Sequence, residues 1–435
     1  MKPWLAALAL ALLALFGTPA SAQAPQRLFI QAGRLLADPA TGRVLTDKTI
    51  VVENGRIVAI RDGFVGKGEG EVVDLRDAFV LPGLIDSHVH LCHENGPDDR
   101  VRPTVQTAAD QAIHGAHFAL VTLMAGFTTV ADLAEENDAI FALRDGIARG
   151  WIPGPRVIAS GAPLSVYGGD GDPSGYRPSV QLALRRGDLC AGADDCRRVT
   201  LETIHRGADV IKVLATGSVL GDDNAGLGPQ FTDAELGAII STAHQFGRRV
   251  TAHAHSAAAI NQFLRLGGDS IEHGTNLDAE SVRLFRAHNA YLIPTLLAGD
   301  TVTRWANDPN SFLPPTERAK ALLVGPHMIE SARRAHEGGV RIAFGTDSSV
   351  SPHGQNAREF ALLVRAGLTP LEAIQAATVN AADHLNLSGE IGSIAPGKAA
   401  DIVAVHGDPL SDVTLLEHIG FVMRAGHIYR QIDRK

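Results

Sequence analysis

Residues 80–90 read VLPGLIDSHVH, an apolar run that ends in two histidines separated by one residue. In an extended strand, side chains two positions apart point to the same face, so His88 and His90 would project together. Two imidazoles on one strand suit a divalent metal that takes nitrogen and oxygen ligands. Because such a pair alone is more often a satisfied polar pair than a metal site, the interpretation depends on what other strands carry.

From Val80 to about His384, apolar strands alternate with segments of helical spacing. Eight strands are predicted, with the sequences VLPGLIDSHVH, FTTVADL, RVIASG, DVIKVLAT, RRVTAHAH, SIEHG, YLIPTL and RIAFGTD. The segments between them, such as DAELGAIISTAHQFG and AREFALLVRAGL, have apolar residues at helical spacing. Repeated β–α units of this number predict an α/β fold with a (β/α)8 TIM-like barrel, whose active site lies at the C-terminal strand ends.

Short alternating runs at both ends of the chain predict a second, discontinuous domain. They are LFIQAGRLLA, TIVVENGRIVAI and EVVDLRDAFV near the N-terminus, and ADIVAVHG and FVMRAGHIYR near the C-terminus. Alternation bounded by Gly, Asn and Asp is typical of hairpins. We therefore predict a small β-sandwich from residues 27–79 and 388–435, with the catalytic barrel at residues 80–387.

Further strand ends carry residues that could complete a metal site, namely Lys212, His253, His273 and Asp347. Lys212 is the most informative of these residues about function, because burial in an apolar strand disfavours its charged ammonium form. An ion pair with a neighbouring carboxylate is the alternative interpretation. We favour a neutral amine that captures CO2, so that the carbamate bridges two divalent metals.

Two further residues, and one of the ligands already named, are assigned to the reaction or the substrate. His255 shares a strand face with His253, and we place His253 on the second metal and His255 nearer the substrate. Asp347 is predicted to be a metal ligand and to carry a proton from activated water to the leaving amine, with a helix N-cap as the alternative. The loop VYGGDGDPSG lacks the lysine of a phosphate-binding loop; we predict that it covers the substrate, with Tyr167 in contact.

Composition and targeting signals limit the function classes. The formal charge of −9, without a basic stripe, predicts no nucleic-acid partner. Residues 1–22 are predicted to be a secretory signal peptide with an apolar core too short for a membrane span, which indicates a periplasmic or secreted enzyme without a stable membrane anchor. In an oxidising compartment Cys190 and Cys196 are expected to form a disulfide, with two free thiols as the alternative. Cys92 is expected to pack as a small apolar residue.

The motifs together resemble those of the amidohydrolase superfamily over essentially the whole mature chain. The matching segments are LPGLIDSHVH, IKVLATG, VTAHAH, SIEHGT, FGTDS and GEIGSIAPGKAADIVAV. The stretch HGQNAREFALLVRAGLTPLEAIQAATVNAA resembles the binuclear, exported Xaa-Pro/Xaa-Arg dipeptidase-like branch, which includes ochratoxin-hydrolysing amidases. Gly168-Gly169-Asp170 departs from the Gly-Gly-His often present in that branch, so no substrate contact is transferred to this loop.

The resemblance implies a ligand set and an assembly state, and the ligand types suggest a metal. The metal and catalytic roles fall on His88, His90, Lys212, His253, His273 and Asp347. Zinc is the default metal for nitrogen and oxygen ligation in an exported hydrolase. A homo-oligomer is implied, an octamer being one form it could take.

The expected function is metal-dependent hydrolysis of an amide or peptide bond that releases a C-terminal amino acid, from a dipeptide or an N-acyl or N-aroyl amino acid. The alternatives on the same binuclear site are a cyclic amide hydrolase resembling imidazolonepropionase, a lactonase and a phosphotriesterase. A mononuclear deaminase would have no use for Lys212. A structural relative without chemistry should have lost ligands, and none of the six is missing.

Overall fold

The computed structural model describes residues 27–135, 138–185, 187–221 and 226–432. Its strands, β1 to β17 in chain order, are Arg27–Leu35, Leu45–Glu53, Arg56–Asp62, Glu71–Pro82, Leu84–Val89, Phe127–Asp132, Arg156–Ala159, Ser165–Val166, Leu189–Cys190, Ile211–Leu214, Val250–Ala254, Ser270–His273, Tyr291–Ile293, Arg341–Ile342, Ile402–Val405, Phe421–Arg424 and His427–Arg430. Its α-helices, α1 to α13, are Arg102–Val105, Ala108–Met124, Ala139–Ala148, Pro178–Leu184, Ala193–Arg206, Asp233–Gln245, Ala257–Arg265, Ala279–His288, Leu296–Asn307, Pro315–Glu337, Arg358–Arg365, Pro370–Gln375 and Ala381–His384. The predicted signal peptide lies outside the described residues, and within them no helix has the length and apolar character needed to cross a membrane.

Strands from both ends of the chain form one seven-stranded sheet, in the order β17-β16-β15-β4-β1-β2-β3. The sheet curls on itself, since the Ile57 N–H in β3 donates to the Lys398 carbonyl, 2.9 Å away and close to β15. An apolar cluster that includes Ile30, Ile402 and Phe421 fills its interior. The structure therefore has a sheet built from both termini, and its pairing is one continuous curled sheet instead of the two sheets of the predicted sandwich.

All eight central strands are present, in two parallel sheets with the orders β5-β6-β7 and β10-β11-β12-β13-β14. Backbone hydrogen bonds join these sheets at both ends. The Asp209 N–H donates to the Ala159 carbonyl at 2.8 Å beside β7, and the Ser87 N–H of β5 donates to the Phe344 carbonyl at 2.8 Å after β14. Because the strands are parallel, their C-terminal ends lie at one edge.

The central strands are buried on both faces, which explains why they are nearly continuous apolar runs. Gly345 allows the chain after β14 to approach β5 closely. A Cβ atom there would lie 2.3 Å from Cγ2 of Ile293 and 3.1 Å from Cβ of His88. The absence of a side chain at Gly345 therefore lets Asp347, two residues later, lie beside the histidines of β5.

Cys190 and Cys196 are joined by a disulfide, with their Cα atoms 4.9 Å apart, which confirms the predicted bond. The bond connects β9 to α5, and β9 pairs with β8 through Ser165 and Leu189. The disulfide therefore braces the start of the loop VYGGDGDPSG. Cys92 is a free, buried cysteine, as predicted.

Replacing Cys190 and Cys196 together by serine should lower the free energy of unfolding by about 2–3 kcal/mol, the loop-closure entropy of a short cross-link. Urea unfolding of the wild type and the variant, each with and without reductant, measures this difference. Reductant should bring the wild type to the variant's midpoint and leave the variant unaltered. Equal midpoints without reductant would show that the bond does not stabilise the fold.

Candidate active site

The C-terminal ends of four strands, and the turn after β14, surround one cavity of about 340 Å³, which we call the inner cavity. Seven side chains selected from the sequence line it, namely His88, His90, Lys212, His253, His255, His273 and Asp347. The structure therefore brings the six predicted metal ligands and His255 to one place, although they are spread over more than half of the chain.

His88, His90 and Asp347 form the tightest cluster. Oδ1 of Asp347 lies 2.9 Å from Nε2 of His90 and 3.4 Å from Nε2 of His88. One possible ligand atom from each residue lies within 4.8 Å of the other two. Nδ1 of His90 lies 3.1 Å from the Ala134 carbonyl, to which it donates, so its Nε2 is left as the acceptor.

The remaining histidines form a second cluster on β11 and β12. The ring centroid of His253 lies 4.6 Å from those of both His255 and His273. The hydroxyl of Thr295 donates to the Pro294 carbonyl at 2.9 Å, so it accepts from Nδ1 of His273 at 2.7 Å. This leaves Nε2 of His273 with a lone pair, which is the form that a metal ligand requires.

Lys212 has only 2% of its surface exposed. Burial lowers the pKa of its amine, and the carboxylates of Glu272 and Asp347 offset this only in part. Within the described part of the chain, no ion pair joins its amine to a carboxylate. The ion-pair alternative for Lys212 is therefore not observed, and the neutral amine is favoured.

Burial sets the protonation states of the other groups. It lowers the pKa values of His88, His253 and His273, and it lowers the pKa of His255 to about 4. Burial alone would raise the pKa of Asp347, but the neighbouring histidines outweigh it and hold that pKa well below its usual range. Neutral imidazoles and an ionised carboxylate are the forms in which these side chains ligate metals, so the donor set fits divalent cations.

Glu272, which is fully buried and precedes His273, was not predicted from the sequence. Its carboxylate accepts a hydrogen bond from Nδ1 of His88 at 2.8 Å and another from the Thr251 hydroxyl. The backbone of His273 has a φ of 68°, so the alternation of an extended strand does not separate this side chain from that of Glu272. A carboxylate in a strand predicted to be buried was the available signal, because a buried carboxylate requires a partner.

Tyr167 is not brought to the inner cavity. Its side chain is 56% exposed, and its ring lies 5.6 Å from the Arg185 guanidinium. The chain turns at Gly168, whose φ is 73°, and Asp170 lines the inner cavity instead. The Asp170 carboxylate accepts hydrogen bonds from the N–H and the hydroxyl of Ser218, both at 2.8 Å.

The sequence matches the model of the amidohydrolase family over residues 79–429. The chain belongs to the amidohydrolase family. Among solved structures it is similar to a Xaa-Pro dipeptidase with bound methionine in its active site, with a TM-score of 0.88 and 35% identity over 93% of this chain and 100% of that one. It is also similar to a prolidase complexed with N-methylphosphonate-L-proline, with a TM-score of 0.83 and 30% identity over 93% and 100% of the chains.

Ochratoxinase from Aspergillus niger is 31% identical, over 92% of this chain and 86% of that protein. These amidohydrolase relatives are those of the predicted branch, and the chain is a hydrolase, as predicted from its motifs.

Replacing Glu272 by glutamine should weaken divalent-metal binding about ten- to a hundredfold, because His88 loses the charged partner that orients its ring. Competition with a chelator of known affinity measures the change, with Glu417→Gln, an exposed position, as the matched control. Equal metal affinities for the two variants would show that Glu272 does not contribute to metal binding.

Proposed function

We propose that this amidohydrolase cleaves an amide or peptide bond and releases a C-terminal amino acid. The observation that carries the proposal is the inner cavity, where neutral, buried imidazoles surround an ionised Asp347. Two divalent cations, zinc by default, would be held there by His88, His90, Lys212, His253, His273 and Asp347. Relatives that include a Xaa-Pro dipeptidase and an ochratoxinase support an amide as the substrate.

The proposal includes a closed (β/α)8 barrel as the scaffold of the site. Its support is that the two parallel sheets are bonded at both ends, with parallel bridges between Leu164 and Val213 and between Val89 and Ser348. Closure explains why residues from the first strand and from the turn after the eighth line one cavity.

We place a carbamate on Lys212. Its neutral amine adds to the carbon of CO2, a new N–C bond forms, and the displaced proton leaves to solvent. The product is an anion. Among the described residues, no carboxylate forms an ion pair with Lys212, so the carbamate does not replace an existing pair. An anion there would give the two clusters of histidines a common ligand.

In the reaction, bound cations would acidify a water molecule and polarise the scissile carbonyl. Asp347 accepts the proton of the attacking water as the new C–O bond forms, and it donates that proton to the nitrogen as the C–N bond breaks. His255, whose Nδ1 is 2.7 Å from the Thr275 hydroxyl, donates a hydrogen bond to the substrate's free carboxylate. Because Tyr167 lies outside the inner cavity, the proposed carboxylate contact rests on His255.

The setting of the enzyme is part of the same proposal. The disulfide supports a periplasmic or secreted location, because such bonds persist in oxidising compartments. The partners are a small molecule or short peptide and further copies of the chain in a homo-oligomer. The proposal includes no nucleic-acid partner and no stable membrane anchor.

Replacing Lys212 by alanine should reduce bound metal below two equivalents and remove most activity, because the bridging anion is lost. Short carboxylic acids should restore part of both. Elemental analysis and turnover measure the outcome, and Lys67→Ala, on a turn before β4, serves as the control. Full metal content with normal turnover in the Lys212 variant would exclude the carbamate.

Conversion of the substrate carboxylate to an amide should reduce kcat/KM roughly ten- to a hundredfold, because a hydrogen bond to a charged group is worth about 1.5–3 kcal/mol. N-acyl-phenylalanine, its C-terminal amide and a simple lactone are compared at equal metal loading. Equal rates for acid and amide, or turnover of the lactone alone, would contradict release of a C-terminal amino acid but not the metal site.

A further inference from the structure

A second cavity of about 340 Å³, the outer cavity, adjoins the inner one. The two share three lining residues, Asn95, Asp170 and Leu220. Ligand sites commonly occupy about 300–1,000 Å³, so each cavity alone is at the lower end of that range. One ligand that extends past Asn95 and Asp170 would occupy both.

Acidic groups outnumber basic ones on the walls of the outer cavity, and most of the acids have partners. The Asp172 carboxylate accepts from the Arg185 guanidinium at 2.9 Å. Asp170 accepts from Ser218, and Asp99 accepts from the side-chain amide of Asn95 at 2.9 Å. These carboxylates are therefore explained by contacts within the protein.

Glu317 is the exception. It lines the outer cavity with 8% of its surface exposed, and among the residues the structure describes its carboxyl has no hydrogen bond or ion pair. Burial raises its pKa to about 7, and Lys320 and Arg100 offset this only in part. Glu317 lies in the first turn of α10, where a carboxylate interacts favourably with the helix dipole. An exposed carboxylate would make the same interaction without the free-energy cost of burial.

Aromatic rings also line the outer cavity. The rings of Trp305 and Phe312 lie 5.1 Å apart in a T-shaped arrangement, and Tyr176 lines the same cavity. Ring faces attract cations, most strongly where water is excluded. A buried carboxyl that forms no ion pair among the described residues, in a cavity that aromatic rings also line, is suited to an organic cation.

We propose that the outer cavity binds an ammonium group on the acyl portion of the substrate, with Glu317 as its counter-ion. This assignment rests on the amide hydrolysis proposed for the inner cavity, and it names the substrate class as short peptides or acyl amino acids with a positive charge remote from the scissile bond. The acyl chain lies past Asn95 and Asp170, between the two cavities. Glu317 therefore selects the substrate, and the residues of the inner cavity cleave it.

The test compares two substrates of equal length, 6-aminohexanoyl-phenylalanine and heptanoyl-phenylalanine, with the metal-loaded enzyme. The wild type should favour the cationic substrate in kcat/KM by roughly tenfold or more, the range expected of a charge-assisted contact. In Glu317→Gln the ratio of the two kcat/KM values should fall about tenfold, mainly through KM. Glu337→Gln, at an exposed position on the same helix, should keep the wild-type ratio. A ratio unaltered by Glu317→Gln would overturn the proposal.

A binding measurement separates this proposal from the proposed function. Calorimetry of benzylammonium and benzyl alcohol, on the metal-loaded wild type and on Glu317→Gln, reports on the outer cavity without any turnover. If neither acyl-phenylalanine is cleaved but benzylammonium binds the wild type at least tenfold more tightly than the variant, the outer site stands and the proposed reaction fails. Equal affinity of benzylammonium for both proteins would overturn the outer site.

Discussion

Ionisable side chains at the strand ends are removed from water, and this desolvation decides their protonation states and their partners. Four histidines, a lysine and an aspartate are gathered into one largely buried cavity with His255. Groups buried this way are tolerated only if they are neutral, paired or bound to a metal. Burial lowers the pKa values of His253, His273 and Lys212. Glu272 is paired with His88. The ionisable side chains that are costly to bury are thus the same side chains that form the candidate ligand set.

Part of the free-energy cost of forming the site lies in unfavourable backbone conformations. His273 and Asp347 have φ values of 68° and 58°, and Thr295, which holds His273, has a φ of 47°. Left-handed conformations are uncommon for residues with a Cβ atom, and especially for a branched one. Glu359 helps to hold Thr295 in place, since the oxygens of its buried carboxyl group accept hydrogen bonds from the N–H groups of Leu296 and Leu297 at 2.9 Å and 2.6 Å.

These contacts are among the features that could not be predicted from the sequence. Apolar periodicity identified all eight central strands, and the residue types at their ends identified the groups that line the inner cavity. Strand periodicity assumes an extended backbone, so it could not predict that Glu272 and His273 serve one site. Tyr167 was misplaced for a similar reason, because the direction of a glycine-rich loop depends on turns such as Gly168 and on contacts with Arg185. The curling of the terminal sheet depends on contacts between residues far apart in sequence, such as Ile57 and Lys398.

In the proposed reaction the two cavities would have separate roles. The inner one holds the candidate ligand set, and the outer one has a buried carboxyl and aromatic side chains but none of that set. Asp170 lies at their junction, where its carboxylate accepts from Ser218. The loop braced by the Cys190–Cys196 disulfide therefore lies between the two cavities.

Anomalous diffraction from crystals of the metal-loaded protein would locate the bound cations. Two anomalous peaks per chain are expected, one beside His88, His90 and Asp347 and the other beside His253 and His273. Electron density should also extend from Nζ of Lys212 to a planar group that contacts both. A single peak, or an unmodified Lys212 amine beside two peaks, would contradict the account.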